Sequence, residues 1–282
     1  MITQAQPSKP TPAERTPSLP STDPLELLKI ASIVATEAGA LAAKMRHEGI
    51  SVATTKSNQL DIVTQADTAV EELIRHRLAA ARPNDGILGE EGGEEHGDSD
   101  IIWIVDPIDG TVNYLYGSPY YAVSIAATVR DDVGPWRSVA ACVFAPALGA
   151  KYTAAEGEPA QLNGSELHVN RHIPLERALV STGIPYDLTK RERVLRDINK
   201  LTPRIRDFRL VGAAALEICG VAEGRTDGHF QRGLPIWDWA AATLIAKQAG
   251  AEIRITGSDP GIADLLIVAD PKLVDLLEPH LA

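Results

Sequence analysis

The first hydrophobic pattern along the chain is a series of apolar positions at helical spacing. Leucine, isoleucine, valine and alanine recur every three to four residues from Leu25 to Met45, which predicts an amphipathic helix. Asp23 and Pro24 directly precede this pattern and are typical of an N-cap and a first helical residue. A second helix is predicted from Thr68 to Ala81, where the turn-forming sequence Arg-Pro-Asn-Asp-Gly ends it.

Short apolar runs then replace the helical pattern. The run from Ile101 to Val105 is apolar and largely β-branched, which predicts a buried strand. Further strands are predicted at Tyr121–Val129, Ser138–Phe144 and Lys151–Ala154.

The second half of the chain alternates between strand and helix patterns. The predicted strands are Leu179–Thr182, Asp207–Leu210, Asp227–Phe230, Glu252–Ile255 and Leu265–Val268. The predicted helices are Arg191–Leu201, Ala213–Ala222, Trp237–Ala249 and one that starts at Pro271. A block of strands followed by this alternation predicts an α/β fold in which mixed sheets lie between helices.

Length and composition set the domain organisation. Residues 1–23 are rich in proline, threonine, serine and glutamine and poor in large apolar side chains, which predicts a disordered tail. The rest of the 282-residue chain is long enough for one domain with a shared core. We expect a domain over residues 24–282, built from two tightly fused halves at roughly 24–170 and 171–282.

The net charge and the apolar runs of the chain limit the kinds of partner that we expect it to bind. The chain has 38 acidic and 27 basic side chains and a net charge of −11, which argues against a nucleic-acid partner. No apolar run approaches the ~20 residues that span a bilayer, and no signal sequence opens the chain, so we expect a cytoplasmic protein without a membrane partner. The cysteines, Cys142 and Cys219, are interpreted as reduced core residues.

Two aspartates follow the predicted strand that ends at Val105. The sequence Asp106-Pro107-Ile108-Asp109-Gly110-Thr111 places two carboxylates three residues apart on a turn, so that both can point into one cleft. The amides of Gly110 and Thr111 could face an anion there. An ordinary type I turn with a capping aspartate would use the same residues.

Two more acidic segments stand out. Glu90 lies among glycines in Gly89–Gly93, which is typical of an irregular loop that wraps an ion, or of a solvated acidic loop. Asp238 lies between Trp237 and Trp239 at the start of a predicted helix, where an N-cap is the alternative.

A fourth acidic segment ends at Asp67. This aspartate can act as N-cap of the helix predicted from Thr68, with Glu71 close to capping-box spacing. Alternatively, it accepts a hydrogen bond from an active-site hydroxyl.

These carboxylates point to metal ions if they converge. Each close pair of charges would repel by about 4 kcal/mol at an effective dielectric constant of about 20. No matching set of lysines or arginines lies in these segments. Hard divalent cations with oxygen ligands would resolve the repulsion, and the lack of histidine or cysteine ligands favours Mg²⁺ or Mn²⁺ over Zn²⁺.

Together these segments resemble the signatures of the inositol monophosphatase family. The family's G-E-E loop, D-P-[IL]-D-G-T turn and W-D-x-A-A helix start correspond in order to Gly89–Glu91, Asp106–Thr111 and Trp237–Ala241. Its K-S-x-x-x-D-x-V-T-x-x-D segment corresponds to Lys56–Asp67. The resemblance runs from about residue 25 to the C-terminus. It implies a layered αβαβα sandwich of the type shared with fructose-1,6-bisphosphatase, commonly as a homodimer.

The resemblance also implies a metal site and its catalytic groups. Glu90, Asp106 and the Ile108 carbonyl would bind one metal ion, and Asp106, Asp109 and Asp238 a second. The cofactor would be two or three Mg²⁺ ions, with Mn²⁺ as a substitute. Glu90 would help to activate water, Thr111 held by Asp67 would position it, and the backbone of Gly110 and Thr111 would hold phosphate oxygens.

Substrate contacts are implied at two further segments. The family's V-G-[ST]-A-A segment corresponds to Val211–Ala215, so Gly212, Ala213 and Ala214 join Asp109, Gly110 and Thr111 as predicted substrate contacts. Here the usual hydroxyl residue is absent, and Gln231 stands where the family has a glutamate, which loses a charge-assisted contact to a hydroxyl. The neighbouring Arg232 suits a more anionic substrate or is a solvated arginine.

The implied function is Mg²⁺-dependent, lithium-sensitive hydrolysis of a small phosphorylated polyol, with inositol 1-phosphate as the default. The alternatives with the same chemistry are a histidinol-phosphate phosphatase, a fructose-1,6-bisphosphatase and a nucleotide 3′-phosphatase. A non-catalytic partner-binding protein on the same fold is the alternative from another class.

Overall fold

A computed structural model describes residues 22–49, 52–55, 62–131 and 134–281. The predicted tail up to residue 21 and the segment from Lys56 to Asp61 lie outside the described residues. The α-helices of the described part are α1 (Pro24–Glu48), α2 (Gln65–Ala81), α3 (Thr111–Leu115), α4 (Leu188–Leu201), α5 (Ala214–Ala222), α6 (Ile236–Gln248) and α7 (Pro271–Leu281).

The strands fall into two main sheets and two small ribbons. They are β1 (Val52–Thr55), β2 (Ile62–Thr64), β3 (Gly86–Gly89), β4 (Gly93–Glu95), β5 (Ile101–Asp109), β6 (Ala122–Asp131), β7 (Gly134–Ala145), β8 (Ala150–Ala155), β9 (Gln161–Leu162), β10 (Ser165–Glu166), β11 (Leu179–Thr182), β12 (Asp207–Arg209), β13 (Gly228–Gln231), β14 (Leu234–Pro235), β15 (Glu252–Thr256), β16 (Ile262–Ala263) and β17 (Leu265–Ala269). Short 3₁₀ turns lie at Pro146–Leu148 and Leu175–Arg177.

The larger sheet has eight strands in the order β10-β9-β8-β7-β6-β5-β3-β4. Most of its pairs are antiparallel, whereas β3 runs parallel to β5. Strand β5 lies well inside this sheet, and each of its nine residues is buried. A strand buried on both faces must be apolar throughout, which explains its unbroken Ile-Ile-Trp-Ile-Val run.

Helices α1 and α2 pack on one face of the eight-stranded sheet and α6 on the other. The Asp23 carboxylate accepts a hydrogen bond from the Leu25 amide and so caps α1, as its sequence predicts. Gly39 brings α1 close to β7, because a Cβ at this position would lie 2.5 Å from the Phe144 ring.

The smaller sheet has five strands in the order β12-β11-β13-β17-β15. Strand β11 pairs in parallel with both β12 and β13, and β17 pairs antiparallel with β13 and β15. Helix α5 packs against this sheet from the side of α6, whereas α7 packs on the sheet and α4 packs on α7. The layers are therefore α1/α2, large sheet, α5/α6, small sheet and α4/α7. This order confirms the predicted αβαβα sandwich.

Three local predictions are wrong. Asp67 is the third residue of α2, and the N-cap is Thr64, so the helix begins three residues before the predicted start. Asp238 is likewise the third residue of α6, which begins at Ile236. The glycine-rich acidic segment is a β3–β4 hairpin instead of an irregular loop.

Both cysteines are buried and free, as predicted. Cys142 lies in β7 and Cys219 in α5. No helix in the described ranges is both long and apolar enough to cross a bilayer.

Candidate active site

The predicted metal and substrate residues come together around one cavity of about 360 Å³. It opens where the ends of β5 and β13 face the first turns of α3, α5 and α6. Among its lining residues are Glu90, Asp106, Ile108, Asp109, Gly110, Thr111, Gly212, Ala213, Ala214, Gln231 and Asp238. Segments about 150 residues apart in the chain therefore meet in one cleft, although their chemical roles stay predictions.

The turn after β5 is shaped by a local break in strand pairing. Asp106 pairs with Ser124 and Asp109 with Ala122, and the register shifts between them. The Asp106 carboxylate accepts the Ile108 amide at 3.0 Å, which holds the turn. Gly110 has φ +89° and lies so close to its neighbours that a Cβ would be 2.9 Å from the Tyr120 carbonyl. Only glycine fits this conformation and this space.

Asp106 is the electrostatic centre of the cleft. It is 1% exposed. Burial, followed by repulsion from the carboxylates of Glu90, Asp109 and Asp238, raises its pKa well above the usual range, and a hydrogen bond with Glu90 adds to this effect. The strongest charge effects on Asp106 thus come from other acids. A cation bound among these carboxylates would offset the same repulsion.

Asp109 connects the turn to α5. Its two carboxylate oxygens accept the amides of Ala214 at 3.0 Å and Ala215 at 2.8 Å, at the first turn of that helix. Burial raises the pKa of Asp109 to about 7, and these amide hydrogen bonds oppose the rise. Each carboxylate oxygen keeps a second lone pair, so the same group can still contact a cation or a hydroxyl.

Thr111 is held from behind by Asp67. Its hydroxyl lies 3.1 Å from Asp67 Oδ1 and 3.2 Å from the Ile108 carbonyl. Asp67 is fully buried, and its other oxygen accepts the amide and hydroxyl of Thr64 in a capping box. Burial raises the pKa of Asp67, against the lowering effect of these hydrogen bonds. The structure therefore contains the predicted hydrogen bond from the Thr111 hydroxyl to Asp67, and the catalytic roles of the two residues stay predictions.

Glu90 lies at the tip of the β3–β4 hairpin, which a buried glutamate on α2 holds in place. Glu71 is 2% exposed and accepts the amides of Glu91 at 2.8 Å and Gly92 at 2.7 Å, together with Arg75 Nε at 2.8 Å. A Cβ on Gly89 would lie 2.4 Å from the Glu71 carboxylate, so the glycine admits this contact. Glu71 therefore does not take part in the capping box of α2, contrary to what its spacing in the sequence suggested. It binds the hairpin instead.

Gln231 lines the cleft at the end of β13. Its amide lies directly over Gly183, and its Oε1 is buried without a hydrogen-bond partner among the described residues. Arg232 is 5% exposed and donates to Asp197 at 2.5 Å and to the Leu281 carbonyl. The prediction of a solvated arginine is therefore wrong, because Arg232 forms a buried ion pair.

A second buried glutamate, Glu217, lines the cavity next to the Val211–Gly212 segment. Its Oε1 accepts the amides of Val211 and Gly212, and its Oε2 lies 3.4 Å from His229 Nδ1. Burial raises the pKa of Glu217 to about 8 and lowers that of His229 to about 3. Sequence reasoning missed Glu217, whose one visible signal is a single acid inside the apolar pattern of α5.

The donor set suits a hard divalent cation by its chemistry. Within the described ranges, no three Asp, Glu, His or Cys side chains already lie close enough to hold a metal ion. Even so, the negative charges of Glu90, Asp109 and Asp238 all oppose the ionisation of Asp106. A cation among these oxygens would remove that penalty, and the absence of nitrogen and sulfur donors among the four favours Mg²⁺ or Mn²⁺.

Comparisons with known proteins agree on one family. The profile of the Inositol monophosphatase family matches residues 23–275. The chain is 39% identical over 283 residues to the inositol-1-monophosphatase of Mycobacterium bovis, covering 92% of this chain and 94% of that protein. It is 34% identical over 259 residues to the Nus factor SuhB of Vibrio cholerae, covering 90% and 95%. The solved structure of extragenic suppressor protein suhB from Bartonella henselae matches with a TM-score of 0.83 at 32% identity, covering 91% of this chain and 98% of that one.

Proposed function

Since the chain belongs to the inositol monophosphatase family, we propose that it hydrolyses a small phosphate monoester, with inositol 1-phosphate as the first substrate to test. The observation that carries this proposal is the meeting of Glu90, Asp106, Asp109 and Asp238 with Thr111 in one cleft. We further infer a cytoplasmic enzyme that acts as a homodimer without a membrane or nucleic-acid partner.

The metal would be held by Glu90, Asp106, the Ile108 carbonyl, Asp109 and Asp238. When bound, two or three Mg²⁺ ions would neutralise phosphate charge and lower the pKa of a water molecule. The chain's own contribution at this wall is to aim the carboxylates at one point. The turn hydrogen bond of Asp106 and the α5 amides on Asp109 fix two of them.

Thr111 and Glu90 would act on the attacking water. When the Thr111 hydroxyl donates to Asp67, its oxygen keeps lone pairs that can accept a hydrogen from water. Glu90 then takes the other proton of that water onto a carboxylate oxygen. The Gly110 turn would present backbone amides to the phosphate. The water oxygen would bond to phosphorus as the ester P–O bond breaks, and the alkoxide would leave as the alcohol after taking a proton from solvent, with no covalent enzyme intermediate.

The leaving alcohol would lie between Gly212–Ala214 and Gln231. Gln231 lines the cavity, and its side-chain amide would bind a hydroxyl of the alcohol once its buried oxygen turns toward the cleft. A neutral amide binds such a hydroxyl less strongly than a glutamate would. The identity of the alcohol therefore depends on how this glutamine binds it.

The experiment is a phosphate-release assay on a panel of esters. We expect turnover of inositol 1-phosphate with Mg²⁺, none after EDTA, recovery with Mn²⁺ and inhibition by Li⁺ at tens of millimolar. Histidinol phosphate, fructose 1,6-bisphosphate and a nucleotide 3′-phosphate test the alternatives. If histidinol phosphate is hydrolysed while inositol 1-phosphate is not, the substrate is wrong and the chemistry stands. If the purified protein hydrolyses none of them with Mg²⁺, the proposed function is wrong.

Thr111→Ala should reduce kcat about 100-fold, because the water loses its positioned acceptor. KM should change little, since the backbone amides that face the phosphate remain. Thr111→Ser keeps the hydroxyl and should retain most of the activity. Equal losses in the two variants would show that the methyl group or the turn, and not the hydroxyl, matters.

A non-catalytic, partner-binding role is the second candidate, and the Vibrio cholerae relative named a Nus factor favours it. The intact set of acidic residues argues for catalysis, because a pure binding protein has no need of them. The Asp106 variant discussed below distinguishes the two.

A further inference from the structure

The Val211–Gly212 loop forms the leaving-group wall of the cleft and is held from two sides. On one side, Asn113 Nδ2 donates to the Val211 carbonyl at 2.8 Å and to the Tyr120 carbonyl at 2.8 Å. On the other side, Glu217 Oε1 accepts the Val211 amide and, at 3.1 Å, the Gly212 amide. Two side chains therefore satisfy the Val211 amide, the Val211 carbonyl and the Gly212 amide.

Backbone geometry makes the loop depend on these contacts. Gly212 has φ +82°, and a Cβ there would lie 3.3 Å from Asn113 Nδ2. The next residues, Ala213 and Ala214, line the cleft, and the Ala214 amide donates to Asp109. A shift of the loop therefore moves the wall that would contact the leaving alcohol, while the Thr111 hydroxyl is held separately by Asp67 and the Ile108 carbonyl.

Glu217 is costly to bury, which indicates a specific requirement for it. The side chain is 4% exposed inside an otherwise apolar helix. Its second oxygen, Oε2, has no hydrogen-bond partner among the described residues and lies 3.4 Å from His229 Nδ1. His229 Nδ1 in turn lies 3.0 Å from the Ser181 hydroxyl. Only Oε1 is therefore committed to the loop, and Oε2 faces a small buried polar cluster.

We propose that Glu217 is a positioning residue that fixes the Val211–Gly212 loop and thereby sets the affinity for the alcohol part of the substrate. This inference rests on the proposed function and extends it to a residue outside the predicted site. It separates two halves of substrate recognition: phosphate binding does not require Glu217, and alcohol binding does.

The test compares two substrates across three variants. Glu217→Ala should raise KM for inositol 1-phosphate about tenfold, because two amides lose their acceptor and the loop moves. KM for p-nitrophenyl phosphate, which carries no polyol hydroxyls, should stay within about twofold of the wild type. Glu217→Gln keeps an acceptor oxygen for both amides and should restore KM to near the wild-type value. Glu217→Asp, which shortens the reach, should be intermediate and serves if the alanine variant does not fold.

The matched control is Glu223→Ala. Glu223 directly follows α5 and accepts Tyr152 Oη at 2.7 Å and Arg225 Nε at 2.5 Å, away from the loop. It should lower the melting temperature without changing either KM. If it raises KM for inositol 1-phosphate as much as Glu217→Ala does, the effect is one of general stability and the inference is overturned.

Hydrogen exchange tests the loop without any assay of turnover. In Glu217→Ala, the peptide over residues 207–215 should exchange faster than in the wild type, whereas Glu223→Ala should leave it unchanged. Unchanged exchange in Glu217→Ala would overturn the inference whether or not the protein is active. If exchange rises but the wild type hydrolyses no ester, the loop contact stands, while the proposed function and the role of Glu217 in substrate affinity both fail.

Discussion

Asp106→Asn should abolish phosphate release, with a loss of about 10³-fold or more, while the protein stays folded. Asp106 is the one carboxylate that both predicted metal sets share, and it interacts with Glu90, Asp109 and Asp238. Asparagine has nearly the same shape but lacks the charge that would hold a cation, and electrostatic stabilisation of this kind commonly contributes 10²–10³-fold or more. Calorimetric titration should show weaker Mn²⁺ binding in the variant.

The same substitution should stabilise the metal-free protein. The pKa of Asp106 is raised in the folded state, so folding favours its protonated form. Metal-free stability should therefore fall as pH rises above the ordinary pKa of an aspartate, because ionisation is penalised only in the folded chain. Asparagine is always neutral and removes this penalty. We expect a higher melting temperature than the wild type in EDTA at pH 8 and a smaller difference at pH 5.

Asp187→Asn is the matched control. Asp187 also lines the cavity, and its carboxylate accepts the Lys190 amide near the start of α4, a capping role that asparagine fills equally well. Activity and metal binding should be unchanged. If Asp106→Asn kept full phosphatase activity and all partner binding, the metal assignment would be wrong and the non-catalytic alternative would gain support.

The elements predicted best from the sequence are those with a strong local pattern. Strand Leu179–Thr182 has the predicted bounds, and the helix at Ala214–Ala222 starts one residue after the predicted Ala213. The β3–β4 hairpin was missed because its strands have four and three residues, too few to show a period. It forms because β3 pairs with β5, a contact that no local pattern encodes.

The cleft-lining acids could be predicted because their segments combine carboxylates with turn residues. Capping positions were harder to place. Thr64 and Asp67 are both residue types that favour a helix N-cap. In the capping box, the side chain of each accepts a hydrogen bond from the backbone of the other, so the sequence alone does not show which of them is the N-cap.

Buried charges were the least predictable part. The sequence around Arg232 is typical of a surface residue, because its ion-pair partner, Asp197, lies 35 positions away in the chain. Glu71 and Glu217 are likewise explained only by the amides that they accept from other segments. The need for these charged groups arises from the tertiary structure, because a buried carboxylate is tolerated only where the fold brings hydrogen-bond donors to it.

Glu71→Ala should reduce kcat about 100-fold although Glu71 does not line the cleft. The Glu91 and Gly92 amides would lose their acceptor, and Glu90 directly precedes them. A displacement of about 1 Å in a catalytic group is enough for such a loss. Leaving two amides unpaired should also cost about 2 to 4 kcal/mol in the free energy of unfolding. Urea unfolding and steady-state kinetics would measure the two effects separately.

Arg75→Ala is the control for this effect. It removes one donor from Glu71 and a hydrogen bond to the Gly93 carbonyl of the hairpin, but leaves both amide hydrogen bonds of Glu71 in place, so stability should fall while kcat changes much less than in Glu71→Ala. If Arg75→Ala lowered kcat as much as Glu71→Ala, the two amide hydrogen bonds of Glu71 would not be what holds Glu90 in place.

Glutamine at the two buried glutamates should have opposite consequences. Both oxygens of Glu71 accept amides, Oε2 from Glu91 and Oε1 from Gly92, so glutamine would set an NH₂ group against one N–H and lose activity like alanine. Glu217 uses one oxygen for both amides, so its glutamine variant keeps the contact. An active Glu71→Gln would show that the Glu90 hairpin is held by contacts other than these two hydrogen bonds, such as the one from Arg75 to the Gly93 carbonyl.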